Sequence, residues 1–271
     1  MRVQIGNSIF DWGSKTYIAG VINLTPDSFS GDGIYKDPER AAAKAQELVE
    51  EGADLIDVGA ESTRPGHVPI SADEELERLL PSLRKIVQSV KVPVSVDTTK
   101  YEVAKEALEE GACIINDVWG LQKSPGICGL VASHNGAIIV MHNQLGTTYP
   151  NGLLQTICAF LSSAARRCLE AGVPPGKIII DPGIGFGKNA EQNLQVLKNL
   201  DIIRDLGFPV LVGPSRKSFI GYVLGADVSD RIEGTAAAVA TCALNGVDIV
   251  RVHDVKAMKR VCRMIDAIKS A

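Results

Sequence analysis

The stretch VPVSVDTTKYEVAKEALEEGACIIN, residues 92–116, carries the unit from which the fold is read. It opens on a short apolar run, Val92–Asp97, and turns through polar residues. A segment of helical period, KYEVAKEALEEG, follows and closes on Gly111, the residue type that suits a helix C-terminus. A second run, Ala112–Asn116, begins at once. Both runs are mostly apolar rather than alternating, which fits parallel strands covered on both faces. Two such strands joined by a helix form one parallel crossover unit.

The unit recurs along the chain. Further strand-like runs are Tyr17–Asn23, Asp54–Val58, Ala137–His142, Lys177–Asp181, Phe208–Gly213 and Val247–Val252. Helix-like stretches such as PERAAAKAQELVEEG, closing on Gly52, and ADEELERLLPSLRKIVQS lie between them. Eight units within 271 residues, without a break in composition, predict a single (β/α)8 TIM barrel forming one domain over residues 1–271. The leading VQI-GN-SIF predicts a β-hairpin that plugs the barrel floor. A doubly wound open sheet is the alternative, but no GxGxxG turn follows the first strand.

Hydrophobic residues make up 45% of the chain and charged residues 22%, the balance of a globular protein. A net charge of −4 exerts no global pull toward nucleic acid or an anionic membrane, so neither is expected as a partner. The N-terminal MRVQIGNSIFDWGSK has no apolar core of a secretory signal, and no run approaches the roughly 20 apolar residues of a membrane span. Cys113, Cys128, Cys158, Cys168, Cys242 and Cys262 show no CxxC spacing. They read as reduced thiols of a cytoplasmic protein rather than as a zinc site or disulfide framework.

The C-terminal ends of the runs carry, in order, Asn23, Asp57 with Glu61, Asp97, Asn116, His142, Asp181, Ser215 with Lys217, and Arg251 with His253. In a barrel these ends converge on one face, where active sites are built. The opposite ends carry Val92, Ile114, Ile138 and Ile178, which read as fillers. Helix capping explains one or two rim carboxylates, such as Asp181 before Pro182–Gly183, but not the whole set.

The rim suits two chemistries. Asp97, Asn116, Asp181 and Lys217 match a flat heterocycle offering N–H donors beside a carbonyl or ring nitrogen. Arg251 and His253, at i and i+2 on one strand, suit an anion such as phosphate. Helices expected to begin near Pro38 and Val255 add N-terminal N–H groups to that side. Asn23 offers an uncharged oxygen to a Mg2+ that shares its shell with phosphate and water. Two polar loops, LTPDSFSGDGIYKD and GAESTRPGHVPIS, follow the first two strands and are lid candidates over the barrel mouth.

At these residues the chain resembles the dihydropteroate synthase family, from about Tyr17 to Val255. The resemblance lies in NLTPDSFS (Asn23–Ser30), GAESTRPG (Gly59–Gly66), SVDT (Ser95–Thr98), NDV (Asn116–Val118) and MH (Met141–His142). It continues in DPGIGFGK (Asp181–Lys188), SRKSFIG (Ser215–Gly221) and RVHDV (Arg251–Val255).

The resemblance implies an enzyme that joins a pterin-methyl pyrophosphate to p-aminobenzoate, releasing pyrophosphate. It implies that Asp97, Asn116, Asp181 and Lys217 hold the pterin ring and that Asn23, Arg251 and His253 take the pyrophosphate. Mg2+ is then expected at Asn23 and Asp27, with Ser28 on the same loop. Thr63, Arg64, Pro65, Phe186 and Ser218 are expected to border the p-aminobenzoate pocket. Sulfonamides are the implied inhibitors and a homodimer the implied assembly. The chain departs from the family pattern at SFSGDG, where Asp32 sits one position late, at Pro214, and at NQLGTTY after His142. Two rivals remain at this point: a methyltetrahydrofolate-binding methyltransferase, and a non-catalytic pterin-binding barrel.

Overall fold

The computed structural model describes residues 1–25, 33–62 and 68–271. Strands β1 (Arg2–Ile5) and β2 (Ser8–Asp11) form an antiparallel hairpin across Gly6–Asn7. Eight further strands follow: β3 (Tyr17–Asn23), β4 (Leu55–Gly59), β5 (Val94–Asp97), β6 (Ile114–Asp117), β7 (Ala137–Met141), β8 (Ile178–Asp181), β9 (Leu211–Val212) and β10 (Ile249–Val252). They pair in parallel in the order β8-β7-β6-β5-β4-β3-β10-β9, and an Ile180–Val210 bridge joins the two ends. The architecture is the expected (β/α)8 barrel.

The helical layer comprises α1 (Pro38–Glu50), α2 (Ala72–Ser89), α3 (Tyr101–Glu109), α4 (Ile127–Ser133), α5 (Leu153–Glu170), α6 (Ala190–Lys198), α7 (Leu200–Arg204), α8 (Ser218–Leu224), α9 (Ile232–Leu244) and α10 (Val255–Ser270). α1 starts where the Asp37 side chain accepts from Arg40 N and Pro38 takes a position whose N–H would be spare. It ends at Gly52, with φ +108, where Ala53 N donates to Leu48 O at 2.9 Å and Gly52 N to Val49 O at 3.0 Å. Gly111 ends α3 in the same way.

Six of the eight ladders are shorter than the sequence runs, and in two of them a proline is the reason. Pro93 has no N–H, so β5 begins at Val94 rather than Val92. Pro209 likewise donates nothing, and Val210 N is taken by the Asp248 carboxylate at 2.9 Å, which reduces β9 to Leu211–Val212.

Alternation along the strands separates two cores. Ile5, Phe10 and Trp12 of the hairpin pack with Tyr17, Ala19, Leu55, Ile114, Ile139, Ile179 and Ile249 inside the barrel. Trp12 Nε1 donates to Gly176 O at 2.9 Å, and Gly13 N donates to Asp248 at 2.9 Å, fixing the plug in place. The neighbours of these inward residues, among them Ile18, Ile56, Val96, Ile115, Ile138, Ile178 and Val250, face the helices instead. The expected fillers therefore divide: Ile114 fills the barrel, whereas Ile138 and Ile178 bind strands to helices.

Candidate active site

The same alternation places the polar residues. Above the inward Leu55, Ile114, Ile179 and Ile249, the next inward positions on each strand are Asp57, Asn116, Asp181 and Arg251. On β5 they are Ser95 and Asp97. A cavity of about 380 Å³ opens at this end, lined in part by Asn23, Asp97, Asn116, Asp181, Phe186, Lys217, Ser218, Arg251 and His253. Each of these was expected from the sequence, and the fold gathers them into one site. Asp27, Ser28, Thr63, Arg64 and Pro65 lie outside the described residues, as do residues 26–32 and 63–67 of the two lid candidates.

Arg251 is the hub. Its Nε donates to Asp57 Oδ2 at 2.6 Å, and its Nη2 stands 3.6 Å from Asp97 Oδ2. Asp57, only 1% exposed, also receives Asn116 Nδ2 at 3.3 Å, which leaves the Asn116 carbonyl oxygen for a ligand. Asp57 was legible as a strand-end acid, but its task of orienting Arg251 and Asn116 was not.

Asp97 is buried, and its Oδ1 has no hydrogen-bond partner among the described residues. Burial first, and the Asp57 charge second, push its pKa up to about 8 against the pull of Arg251. An unpartnered buried acceptor on a cavity wall is matched to a donor brought by a ligand. Asp181 combines both readings given to it: Oδ1 accepts Gly183 N at 2.7 Å, capping the turn, while the residue also lines the cavity. Burial raises its pKa to about 6, opposed by the Gly183 N–H and by Lys217, Lys188 and Arg251.

Lys217 Nζ lies 4.2 Å from the centre of the Phe186 ring, a cation–π contact that pairs the two on the cavity wall. Ser215 Oγ lies 3.0 Å from His253 Nδ1, tying the end of β9 to the end of β10. Arg216, not singled out from the sequence, also lines the cavity; its guanidinium grips Asp254 through Nε at 3.1 Å and Nη2 at 2.7 Å. Its backbone has φ +57, which turns the chain between β9 and α8.

One rim assignment is corrected. Asp181 pairs with Met141, so Met141 points inward and lines the cavity, while His142 points away from it. His142 is buried edge-on to Phe160, with Lys188 Nζ 3.1 Å from its Nδ1. Glu61 does line the cavity, yet its carboxylate accepts Ile70 N at 3.0 Å and pairs with Lys100, which also pairs with the buried Glu75. Asp117 serves the fold, accepting Trp119 N at 2.9 Å and Leu121 N at 2.7 Å. Register parity was the signal for His142, and it required knowing which neighbour each strand pairs with.

The mouth of the parallel barrel thus gathers buried carboxylates, an amide, a lysine and an arginine. The family model described as pterin binding enzyme matches residues 19–253. The chain is 44% identical to the dihydropteroate synthase of Clostridium beijerinckii over 98% of its own length and 99% of that protein. Among solved structures it is similar to the Yersinia pestis dihydropteroate synthase in a sulfonamide drug complex, with TM-score 0.94 and 36% identity over the whole of both chains. It is also similar to the Xanthomonas albilineans dihydropteroate synthase with 4-aminobenzoic acid, with TM-score 0.92 and 36% identity over 100% of this chain and 98% of that one. The chain belongs to the dihydropteroate synthase family, which favours the synthase over the methyltransferase reading.

Proposed function

We propose that the cavity seats a dihydropterin carrying a methyl diphosphate and condenses it with p-aminobenzoate, giving 7,8-dihydropteroate and pyrophosphate. The observation that carries the reading is the unpartnered Asp97 Oδ1 on the same wall as Asn116, Asp181 and Lys217. Two carboxylates accept from the amino and ring N–H groups of the pterin edge. The Asn116 oxygen accepts a further N–H, and Lys217 donates to a ring acceptor.

The arylamine nitrogen forms a bond to the methylene carbon as that carbon's bond to the diphosphate oxygen breaks. The electron pair leaves with pyrophosphate, and the amine proton passes to the departing anion or to water. Asp97 and Asp181 stabilise positive charge spreading into the ring, while Arg251 and His253 face the departing anion. This substitution requires no nucleophilic side chain. Phe186 and Ser218 border the arylamine subsite, where sulfonamides would compete.

Asn23 is a neutral oxygen donor at the cavity wall, and no cluster of three or more His, Cys, Asp or Glu that could hold a metal occurs among the described residues. That donor set fits a Mg2+ taking most of its ligands from diphosphate and water, with Asn23 and Asp27 as the protein's share. When bound, the ion would neutralise charge on the departing pyrophosphate.

The proposed assembly is a homodimer. Leu244, Met264 and Ile268 leave large apolar side chains 54–62% exposed on the packed pair α9 and α10. The exposed apolar surface there suits a second copy, and a Leu244→Glu variant sedimenting as a monomer would support it. None of the described helices is long and apolar enough to cross a membrane. The proposed location is the cytoplasm, the compartment that suits thiols without disulfide spacing.

Pyrophosphate release tests the reaction. Release from the pterin pyrophosphate should require p-aminobenzoate, and release independent of the arylamine, or none at all, would overturn the reading.

A further inference from the structure

Behind the cavity, the segment DPGIGFGK wraps around a buried ammonium. Gly183, Gly185 and Gly187 take φ of +73, +84 and +57, so the chain between Asp181 and Lys188 curls tightly. Lys188, 8% exposed, sends Nζ into the curl. It donates to Gly183 O and Phe186 O at 3.0 Å each and lies 3.1 Å from His142 Nδ1. In the charged form its three N–H bonds meet three acceptors, while burial, only partly offset by Asp181, lowers the Lys188 pKa to about 7.

The histidine end is built to accept. Burial, with the Lys188 charge, lowers the His142 pKa to about 3, so the ring is neutral, and in the Nε2–H tautomer Nδ1 accepts from Lys188. Phe160 packs edge-on to the imidazole at 5.2 Å, and the Tyr149 ring lies tilted to it at 6.0 Å. The Tyr149 hydroxyl donates to Gly187 O at 2.7 Å, and Gly185 N donates to Asn193 Oδ1 at 2.7 Å. The loop is thus held from inside by Lys188 and from outside by Tyr149 and Asn193. On its cavity side it presents Ile184, Gly185 and Phe186, with the Phe186 ring against Lys217. A buried ammonium bound mainly to neutral acceptors is costly, and here it fixes the backbone that carries Phe186.

We propose that Lys188, with His142 as its anchor, is a positioning residue: its ammonium holds residues 183–187 in the conformation that sets Phe186 against Lys217 and shapes the arylamine side of the cavity. The inference rests on the reading that Phe186 borders the p-aminobenzoate subsite. Asp181 is held chiefly by the β8 ladder, and its bond to Gly183 N is the one link it shares with the loop. The pterin side is therefore less dependent on Lys188.

Lys188→Met keeps length and removes every donor. It should raise KM for p-aminobenzoate at least tenfold, leave kcat and calorimetric affinity for a bare pterin within threefold, and speed hydrogen exchange of the 183–187 amides. Lys188→Gln, with two donors, should fall between wild type and Lys188→Met. His142→Phe removes one acceptor while keeping the aromatic packing, and carries the test by the same KM shift if Lys188→Met does not fold. A lower melting temperature with unchanged KM, or equal loss for both ligands, would overturn the positioning role. Should the wild-type chain catalyse no condensation, the reading of the reaction fails. Exchange at 183–187, unchanged in Lys188→Met, would still overturn the loop claim.

Discussion

Arg251 and Asp57 stand 194 residues apart in the chain and meet at 2.6 Å inside the top of the barrel, guanidinium Nε to carboxylate Oδ2. The same guanidinium faces Asp97 at 3.6 Å. Arg251 was expected on the anion side alone, yet it also separates two buried carboxylates on the ring side. Arg251→Ala would leave those carboxylates without the cation between them, and Asp97 would hold its proton more tightly. We expect the variant to lose affinity for pyrophosphate and also about 2–4 kcal/mol for a bare pterin. Lys217→Ala should weaken the pterin and leave pyrophosphate nearly unaffected. Calorimetry with each ligand decides it: an Arg251→Ala variant that binds a bare pterin normally would return Arg251 to the anion alone.

Asp181→Asn is a sharper test of the ring side. An asparagine oxygen can still accept Gly183 N, so the turn keeps its cap and the melting temperature should move little. The other end of the side chain becomes a donor facing the donors of the pterin. Losing a charged hydrogen bond and gaining a mismatch should cost about 2–4 kcal/mol of pterin affinity. A large fall in melting temperature with normal affinity would instead make Asp181 a cap and nothing more.

The sequence already contained the barrel, because each strand is a short apolar run followed by a polar turn and a helix closed on glycine. It contained the cavity-lining set as well, because polar residues end strand after strand. Parity was not readable. His142 and Met141 are adjacent in one run, and only the pairing of Met141 with Asp181 shows which of them faces inward. The partnership of Asp57 with Arg251 was hidden for a related reason, since it spans the barrel interior between β4 and β10 and leaves no local trace. Lys188 looked like the tail of a glycine-rich motif until the curl of Gly183–Gly187 placed three acceptors around it.

Phe186 and Ser218 should govern sulfonamide competition. Lys217 lies over the Phe186 ring, so Phe186→Leu removes both a wall and a cation–π contact worth about 0.5–2 kcal/mol. The expected result is a several-fold change in the inhibition constant against p-aminobenzoate, with a smaller change in pterin affinity. Steady-state kinetics at varied p-aminobenzoate measure it, and inhibition that stays noncompetitive throughout would remove the subsite from this wall.

The acidity of the two cavity carboxylates predicts opposite pH trends for stability and binding. Burial raises Asp97 to about 8 and Asp181 to about 6, whereas both titrate near about 4 in an unfolded chain. The folded protein therefore holds these protons more tightly than the unfolded one. The stability they contribute is complete at low pH and is lost as pH rises through 6 and then 8. Asp97→Asn removes the ionisation while keeping the shape, so it should raise the melting temperature of the ligand-free protein more above about pH 8 than near pH 5. Pterin affinity should run the other way in the wild type. The ligand's N–H donors need carboxylates, so affinity should climb from about pH 5 and level off above about pH 8. In Asp97→Asn the upper part of that climb should vanish along with most of the affinity. Scanning calorimetry and binding titrations across this range measure both trends. A melting gain independent of pH, together with flat pterin affinity in the wild type, would mean that Asp97 is ionised in the empty site and that Arg251 outweighs its burial.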